Sequence, residues 1–190
     1  MDVRRKGRGT MIRFRFNEKK ATQAAAKLIA KRGGNLDVIV LLKLLYLVDR
    51  EALARWGRPV TGDTYYSLKN GPVLSTVYDL TKGEPRGEFW PEHIVKDGHT
   101  LRVETLPGED ELSENETDLL CEISEKWEGV DKWTLRDFSH TLGEYQHLKA
   151  GRELISIEDI LSALGKSAAE VRQIELDAME LEKVKQLFGA

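Results

Sequence analysis

Val38-Ile39-Val40-Leu41-Leu42-Lys43-Leu44-Leu45-Tyr46-Leu47-Val48 runs straight into Asp49-Arg50-Glu51-Ala52-Leu53. Ten of the first eleven residues are apolar or aromatic. A surface helix keeps a polar face, whereas a helix apolar all round is buried. The run therefore predicts a central helix from Asn35 to about Trp56-Gly57, with the rest of the chain packed around it. At about 100° per residue, with Tyr46 at zero, Lys43 falls near +60°, Arg50 near +40° and Asp49 near −60°. A cation, a phenol, an anion and a second cation thus share one stripe of an oily helix. Charges in that setting either pair in a structural network, with Asp49 answering Lys43 or Arg50, or line a recognition groove.

Working outward, Ile12-Arg13-Phe14-Arg15-Phe16 alternates apolar and basic, as a short strand does. Asn17 caps a helix through about Arg32, with Ala21, Ala24, Ala25, Leu28 and Ile29 on its apolar face, and Gly33-Gly34 stops it. After the central helix, Arg58 to Asp63 is turn chemistry and Thr64 to Leu68 is β-prone. Pro72 is placed to open a helix reaching Thr81, and residues 82–91 read as a loop. His93–Lys96 and His99–Val103 flank Asp97-Gly98, which predicts a type I′ hairpin with Lys96 facing His99 and His93 facing Arg102. Ser113 and Glu116 form a capping box for a helix to about Trp127. A further helix covers Thr134 to His140. Ser156 opens a short helix to Leu164, and Ser167 opens a last one to Phe188. That last helix carries Val171, Ile174, Ala178, Leu181, Val184 and Phe188 in a narrow stripe, suited either to its own domain or to a partner. The fold class is mainly α-helical α+β: a compact helical domain around a buried helix, with a small β-hairpin or short sheet. Residues 1–11 read as a basic terminus, 12–150 as the domain and 151–190 as a helical extension.

Composition narrows the function. Apolar residues make up 41% and charged residues 32%, the mixture of a globular protein. The net charge of −3 gives no global pull toward nucleic acid. The charge is uneven, however. Residues 1–20 hold eight Lys or Arg, whereas 103–118 hold seven Asp or Glu and no Lys or Arg. The single cysteine, Cys121, suits a reducing cytoplasm, and the longest apolar run is too short to span a membrane. No apolar segment follows the basic start, so no secretory signal is expected. There is no P-loop, strand-helix GxGxxG, nucleophile elbow or HExxH. His140, Glu144 and His147 are spaced to share a helical face, and a metal-dependent hydrolase would be built there, but Gly143 interrupts the helix and no fourth ligand is near. Asp49 and Asp63 could pair as carboxylates; Arg50, Arg55 and Arg58 stand nearby to neutralise them, so an ion-pair network is the simpler reading.

Lys43-Leu44-Leu45-Tyr46-Leu47, then Gly57-Arg58-Pro59-Val60-Thr61-Gly62-Asp63, then Tyr65 or Tyr66 ahead of Gly71-Pro72-Val73, together resemble the Panacea domain, the SocA-like antitoxin domain of bacteria and their phages. Phe138-Ser139-His140-Thr141-Leu142-Gly143-Glu144-Tyr145 resembles the family's second block, with Tyr145 where the family more often has Trp. The likeness covers about residues 12 to 150. It implies a non-enzymatic cytoplasmic antitoxin, without cofactor or metal, that binds a cognate protein toxin and, in SocA-like members, delivers it to a protease. Lys43, Tyr46, Asp49 and Arg50, with Tyr65, Tyr66, Asn70, Gly71, Pro72 and Val73, would line or support the contact surface. His140, Thr141, Glu144 and Tyr145 would form a second polar junction. The acidic loop and the last helix are the candidates for partner specificity, and the last helix could also pair with its own copy. The alternatives are a DNA-binding autoregulator using the basic start and Arg58, or another phage-associated role. Neither nucleic acid nor membrane is expected as a partner.

Overall fold

A computed structural model describes residues 11–84 and 87–188, apart from the side chains of Lys185 and Phe188. The basic start through Thr10, with Arg4, Arg5, Lys6 and Arg8, lies outside the described residues, as does the Phe188 side chain of the last helix's stripe.

The oily run forms helix α2 (Val38–Trp56), buried without a break from Val40 to Asp49. It starts three residues later than the sequence suggests. Asn35–Asp37 is instead strand β1, and the Asp37 carboxylate caps α2 by accepting from the Ile39 N–H at 2.8 Å. The helix stops at Gly57, whose φ of 69° is left-handed. Ile174 packs against that glycine so closely that a Cβ there would lie 2.8 Å from its Cγ1.

Helix α1 (Glu18–Lys31) is capped by Asn17 as expected, and its buried alanines let it close on α2. Ile12 to Phe16 pairs with no strand among the described residues. The alternation gives the faces correctly, with Ile12 buried and Phe14 and Phe16 against the core. The segment is held not by a ladder but by single bonds: the Ile12 N–H donates to Glu158 at 2.7 Å and the Asn17 N–H to the Thr61 carbonyl at 3.1 Å.

Two small antiparallel sheets flank the helices. One runs β3-β2-β6, from β2 (Tyr65–Leu68), β3 (Gly71–Leu74) and β6 (Glu153–Ile155). Pro72 therefore lies in a strand and not at a helix start. β3 is an edge strand, where a missing N–H costs little. Helix α3 (Ser75–Thr81) begins three residues further on. The other sheet runs β1-β5-β4, from β4 (Ile94–Asp97) and β5 (Thr100–Val103). Here the hairpin register differs from the expected one. Lys96 lies opposite Leu101, Val95 opposite Arg102, and the loop is Gly98-His99. Gly98 has φ 58° and no non-glycine residue among those described has positive φ, which fits a II′ turn and not I′. The shifted register buries Leu101 between Leu36 and Ile94. His93 leaves the strand to close a one-turn helix, α4 (Trp90–His93), which begins in the last two residues of the expected loop and runs two beyond it.

Helices α5 (Glu114–Lys126), α6 (Lys132–Ser139), α7 (Ile157–Ala163) and α8 (Ala168–Phe188) follow. The capping boxes at Ser113 and Ser156 form, while α6 starts two residues early because Asp131 caps it. One core cluster reaches from Ile12 to Ala178, so β6, α7 and the first half of α8 share it. Beyond Ala178 the last helix overhangs: Val184 is 45% and Leu187 80% exposed. No helix among the described residues is long and apolar enough to cross a membrane.

Candidate functional site

The polar stripe of α2 divides into three networks with different partners rather than one ion-pair chain. At its C-terminal end, Asp49 is fully buried and pairs with neither Lys43 nor Arg50. Its carboxylate accepts from the Val60 N–H at 2.8 Å, the Thr61 N–H at 2.9 Å and the Tyr65 hydroxyl at 2.9 Å, and from the Thr61 hydroxyl. Four donors satisfy it, yet burial still outweighs them and holds its carboxyl up to about 6. Asp49 thus pins the turn between α2 and β2.

Asp63, on the far side of that turn, is also matched by backbone and hydroxyl groups and not by arginine. It accepts from the N–H groups of Thr64, Thr76 and Val77 at 2.6, 3.0 and 2.9 Å and from the Thr76 hydroxyl at 2.8 Å. The amide donors of Thr76 and Val77 are orphans of the first turn of α3, so Asp63 caps that helix from a distance. Burial raises its carboxyl as well. Of the three arginines expected to neutralise this pair, Arg55 binds Glu51 and Glu122 at the surface, and Arg50 turns elsewhere.

Arg50 and Tyr46 converge on Glu144, from the second sequence block. The Arg50 Nε donates to Glu144 Oε1 at 2.7 Å, and the Tyr46 hydroxyl donates to the same oxygen at 2.9 Å. The Tyr46 ring meets Tyr65 edge-on at 5.6 Å, which joins this network to that of Asp49. Both phenols are pushed well above the usual tyrosine range by burial, reinforced by Glu144 at Tyr46 and by Asp49 at Tyr65.

Lys43 forms the third network and is the poorest in partners. It is 2% exposed, and its Nζ donates to the Pro72 carbonyl at 2.7 Å. No carboxylate among the described residues answers it. Burial, with a contribution from the Arg136 charge, lowers its ammonium to about 7. Gly71, with φ 94°, lets the hairpin lie directly on Lys43 and Ser139: a Cβ there would stand 2.8 Å from Lys43 Nζ and would also clash with the Ser139 hydroxyl. Val73 is buried beside it, while Asn70 is exposed at the hairpin tip and Tyr66 is half-buried under Arg152, 4.8 Å from its ring.

The second block is a turn clamped to the same hairpin. The Tyr145 hydroxyl donates to the Leu68 carbonyl at 2.9 Å, and the Gln146 N–H donates to the Ser67 hydroxyl at 3.0 Å. Thr141 donates to the Phe138 carbonyl. The His140 ring stacks on Tyr145 at 4.6 Å and meets His147 edge-on at 5.6 Å. Burial, then the Lys43 charge, lowers the His140 pKa. Glu144 turns toward α2, so the face of His140, Glu144 and His147 does not form. Among the described residues no three His, Cys, Asp or Glu are grouped to hold a metal ion.

The structure therefore brings together Lys43, Tyr46, Asp49, Arg50, Tyr65, Gly71, Pro72, His140, Glu144 and Tyr145, and leaves Asn70 outside. Sequence reasoning missed Thr61, Ser67 and the capping role of Asp63; the Thr61-Gly62-Asp63 spacing, an ST and Asx turn signal, carried that information. These features describe a helical α+β domain whose polar motif is a structural clamp. A family model for the antitoxin SocA-like, Panacea domain matches residues 41–146, more than half of the chain, and the chain belongs to that family. No curated protein and no solved structure gives a significant match. Antitoxin-type function, with a toxin as partner in general, follows from that membership.

Proposed function

We propose that this protein neutralises one cognate protein toxin by direct contact in the cytoplasm, and that the C-terminal extension, chiefly α8, makes the contact. The clamp residues of α2 and the second block would shape the platform from within and not touch the toxin. One observation carries this reading. Of nine exposed large hydrophobic residues among those described, five lie on α8; Leu176, Met179, Val184 and Leu187 share its outer face, while Leu181 falls on the inner side with Ala178. A clustered apolar surface of this kind marks an interaction site, and an amphipathic helix suits a hydrophobic groove. The acidic loop is a weaker candidate, because α1 engages carboxylates in it: Asp110 is held by Lys19 at 2.6 Å and Glu109 by Lys27 at 2.7 Å.

A second copy is the other occupant supported by the sequence of α8. In an antiparallel pair with Leu176 opposite Leu187, Glu180 falls opposite Lys183. Co-expression with the product of the adjacent gene separates the readings. Growth rescue and co-purification, both lost in Leu176→Glu/Leu187→Glu, are expected. Growth inhibition with no complex would overturn the antitoxin reading, and a chain that only dimerises through this face, by light scattering, would assign the face to its own copy.

A further inference from the structure

A second feature lies away from the outer face of α8 and is not used by the proposed toxin contact. A cleft of about 520 Å³ opens between the extended segment after Ile12, the Arg58–Gly62 turn and the inner side of α8. Its size is that of small-molecule sites. We propose that this cleft binds a phosphorylated small molecule of nucleotide size.

Its walls divide by chemistry. Arg13, Arg15 and Arg58 line it, and Phe14, Pro59 and Leu181 supply carbon. Three carboxylates also line it, but two are occupied. Glu116 is held by Lys20 at 2.8 Å and by its capping serine, and Glu111 accepts from the Asn17 amide at 3.0 Å. Glu182, which accepts only from the Gln186 amide at 3.3 Å, is the carboxylate left to face Arg13 and Arg58. Arg58 makes no hydrogen bond or ion pair among the described residues, and Arg13 has only the Met11 sulfur at 3.9 Å. Guanidinium pairs well with phosphate oxygens because its planar fork donates two parallel bonds. A phosphate set against these arginines would leave the ligand body facing Phe14 and Leu181.

The cleft is also built in advance. Asp49 fixes Val60 and Thr61 from beneath, and Asn17 fixes Thr61 from the opposite wall at 3.1 Å. Gly62, with φ 71°, lets the Arg15 backbone close over the turn, where any side chain would strike the Arg15 carbonyl. The buried Asp49 network thus holds Arg58 at the mouth of a rigid hollow. That gives the Gly57–Asp63 motif a role beyond turning the chain.

Isothermal titration of the full chain with ATP, pyrophosphate and adenosine tests the proposal. Saturable binding of ATP at one site per chain is expected, with pyrophosphate weaker and adenosine weaker still. Losing one charge-assisted contact corresponds to about tenfold in affinity, so Arg58→Ala and Arg13→Ala should each weaken ATP by at least about that factor. Both side chains are exposed, so both variants should melt with the wild type. Pyrophosphate binding as tight as ATP would still place a phosphate in the cleft and would show that the body adds nothing. No saturable heat with ATP or pyrophosphate, binding unchanged in both variants, or adenosine binding equal to ATP would overturn the proposal. So would Arg58-dependent binding of duplex DNA by a protein that ignores ATP. Toxin co-purification is a separate readout, and neither result decides the other.

Discussion

On α2, Lys43, Tyr46, Asp49 and Arg50 turn their polar atoms into the domain, while on α8 Leu176, Met179 and Leu187 turn carbon toward solvent. The two long helices thus invert the usual distribution of chemistry. Buried polar groups are tolerated on α2 because each finds a partner, and those partners lie in distant parts of the chain: the turn at Val60-Thr61, the hairpin at Pro72 and the block at Glu144. Directional bonds to specific atoms specify how elements meet, which apolar contact alone does loosely. Exposed apolar groups on α8 have no such partner within the described residues. The difference assigns shape to one helix and contact to the other, and it can be tested residue by residue.

The largest effect is expected at Asp49. Removing its carboxylate leaves two backbone N–H groups and the Tyr65 hydroxyl buried without acceptors. Asp49→Ala should lose roughly 3–5 kcal/mol in urea unfolding, the cost of breaking a buried charged network. A wild-type midpoint would mean that water reaches this site and that the clamp is not one. Glu144→Gln comes next. It keeps an acceptor for Tyr46 but uncharges the partner of Arg50, which is 19% exposed and can recruit water. A loss of about 2 kcal/mol is expected. A loss equal to that of Asp49→Ala would show that the charge facing Arg50, and not the Tyr46 hydroxyl bond, dominates the network.

These two networks also show what was legible in the sequence. The oily run fixed α2 as the spine because eleven residues leave no polar face, and Asn17, Ser113 and Ser156 announced their helices by local bonds. The stripe of Lys43, Tyr46, Asp49 and Arg50 was legible too, since helical geometry alone places it. Its partners were not. Tyr46 meets Glu144 across 98 positions and Arg50 meets it across 94, and no local rule links such separations. Pro72 misled for a related reason: a proline after Asn-Gly fits a helix start or an edge strand equally, and only the pairing with Ser67 decides. The hairpin register slipped because Asp97-Gly98 is a strong turn signal, whereas burial of Leu101 against Leu36 belongs to a strand sixty residues away in the sequence, roughly.

Lys43 offers a smaller effect whose sign changes with pH. Its folded value of about 7 lies below the model-peptide 10.5, so below pH 7 the fold carries the full penalty of a buried charge. The penalty fades as pH rises from 7 toward 10.5, and stability should climb across that window. Asp49 behaves in mirror image. Its folded value of about 6 lies above 3.8, so its penalty is full above pH 6 and vanishes on acidification through 3.8. Lys43→Met keeps the length, removes the charge and forfeits the bond to Pro72. It should stabilise the fold by about 1 kcal/mol at pH 6 and become neutral or destabilising by pH 9.5, from urea midpoints at both values. A shift of the same sign at both would mean that the ammonium is hydrated in the fold.

The smallest effect on folding is expected where the largest effect on binding is proposed. Leu187 is 80% and Leu176 44% exposed, so neither contributes much buried area. Leu176→Glu/Leu187→Glu should change stability by less than about 0.5 kcal/mol, as surface substitutions generally do. Ile174→Ala, on the docked side of the same helix, serves as the internal contrast: its side chain covers Gly57 and packs on the core, and its loss should cost about 2 kcal/mol. If the outer pair destabilises the isolated chain as much as Ile174→Ala does, the outer face is already packed against something, whether the chain's own surface or a second copy. The division between a helix that shapes and a helix that grips would then be wrong. If the outer pair leaves the midpoint unchanged while removing toxin capture, the apolar residues on that face are kept for a partner and not for the fold.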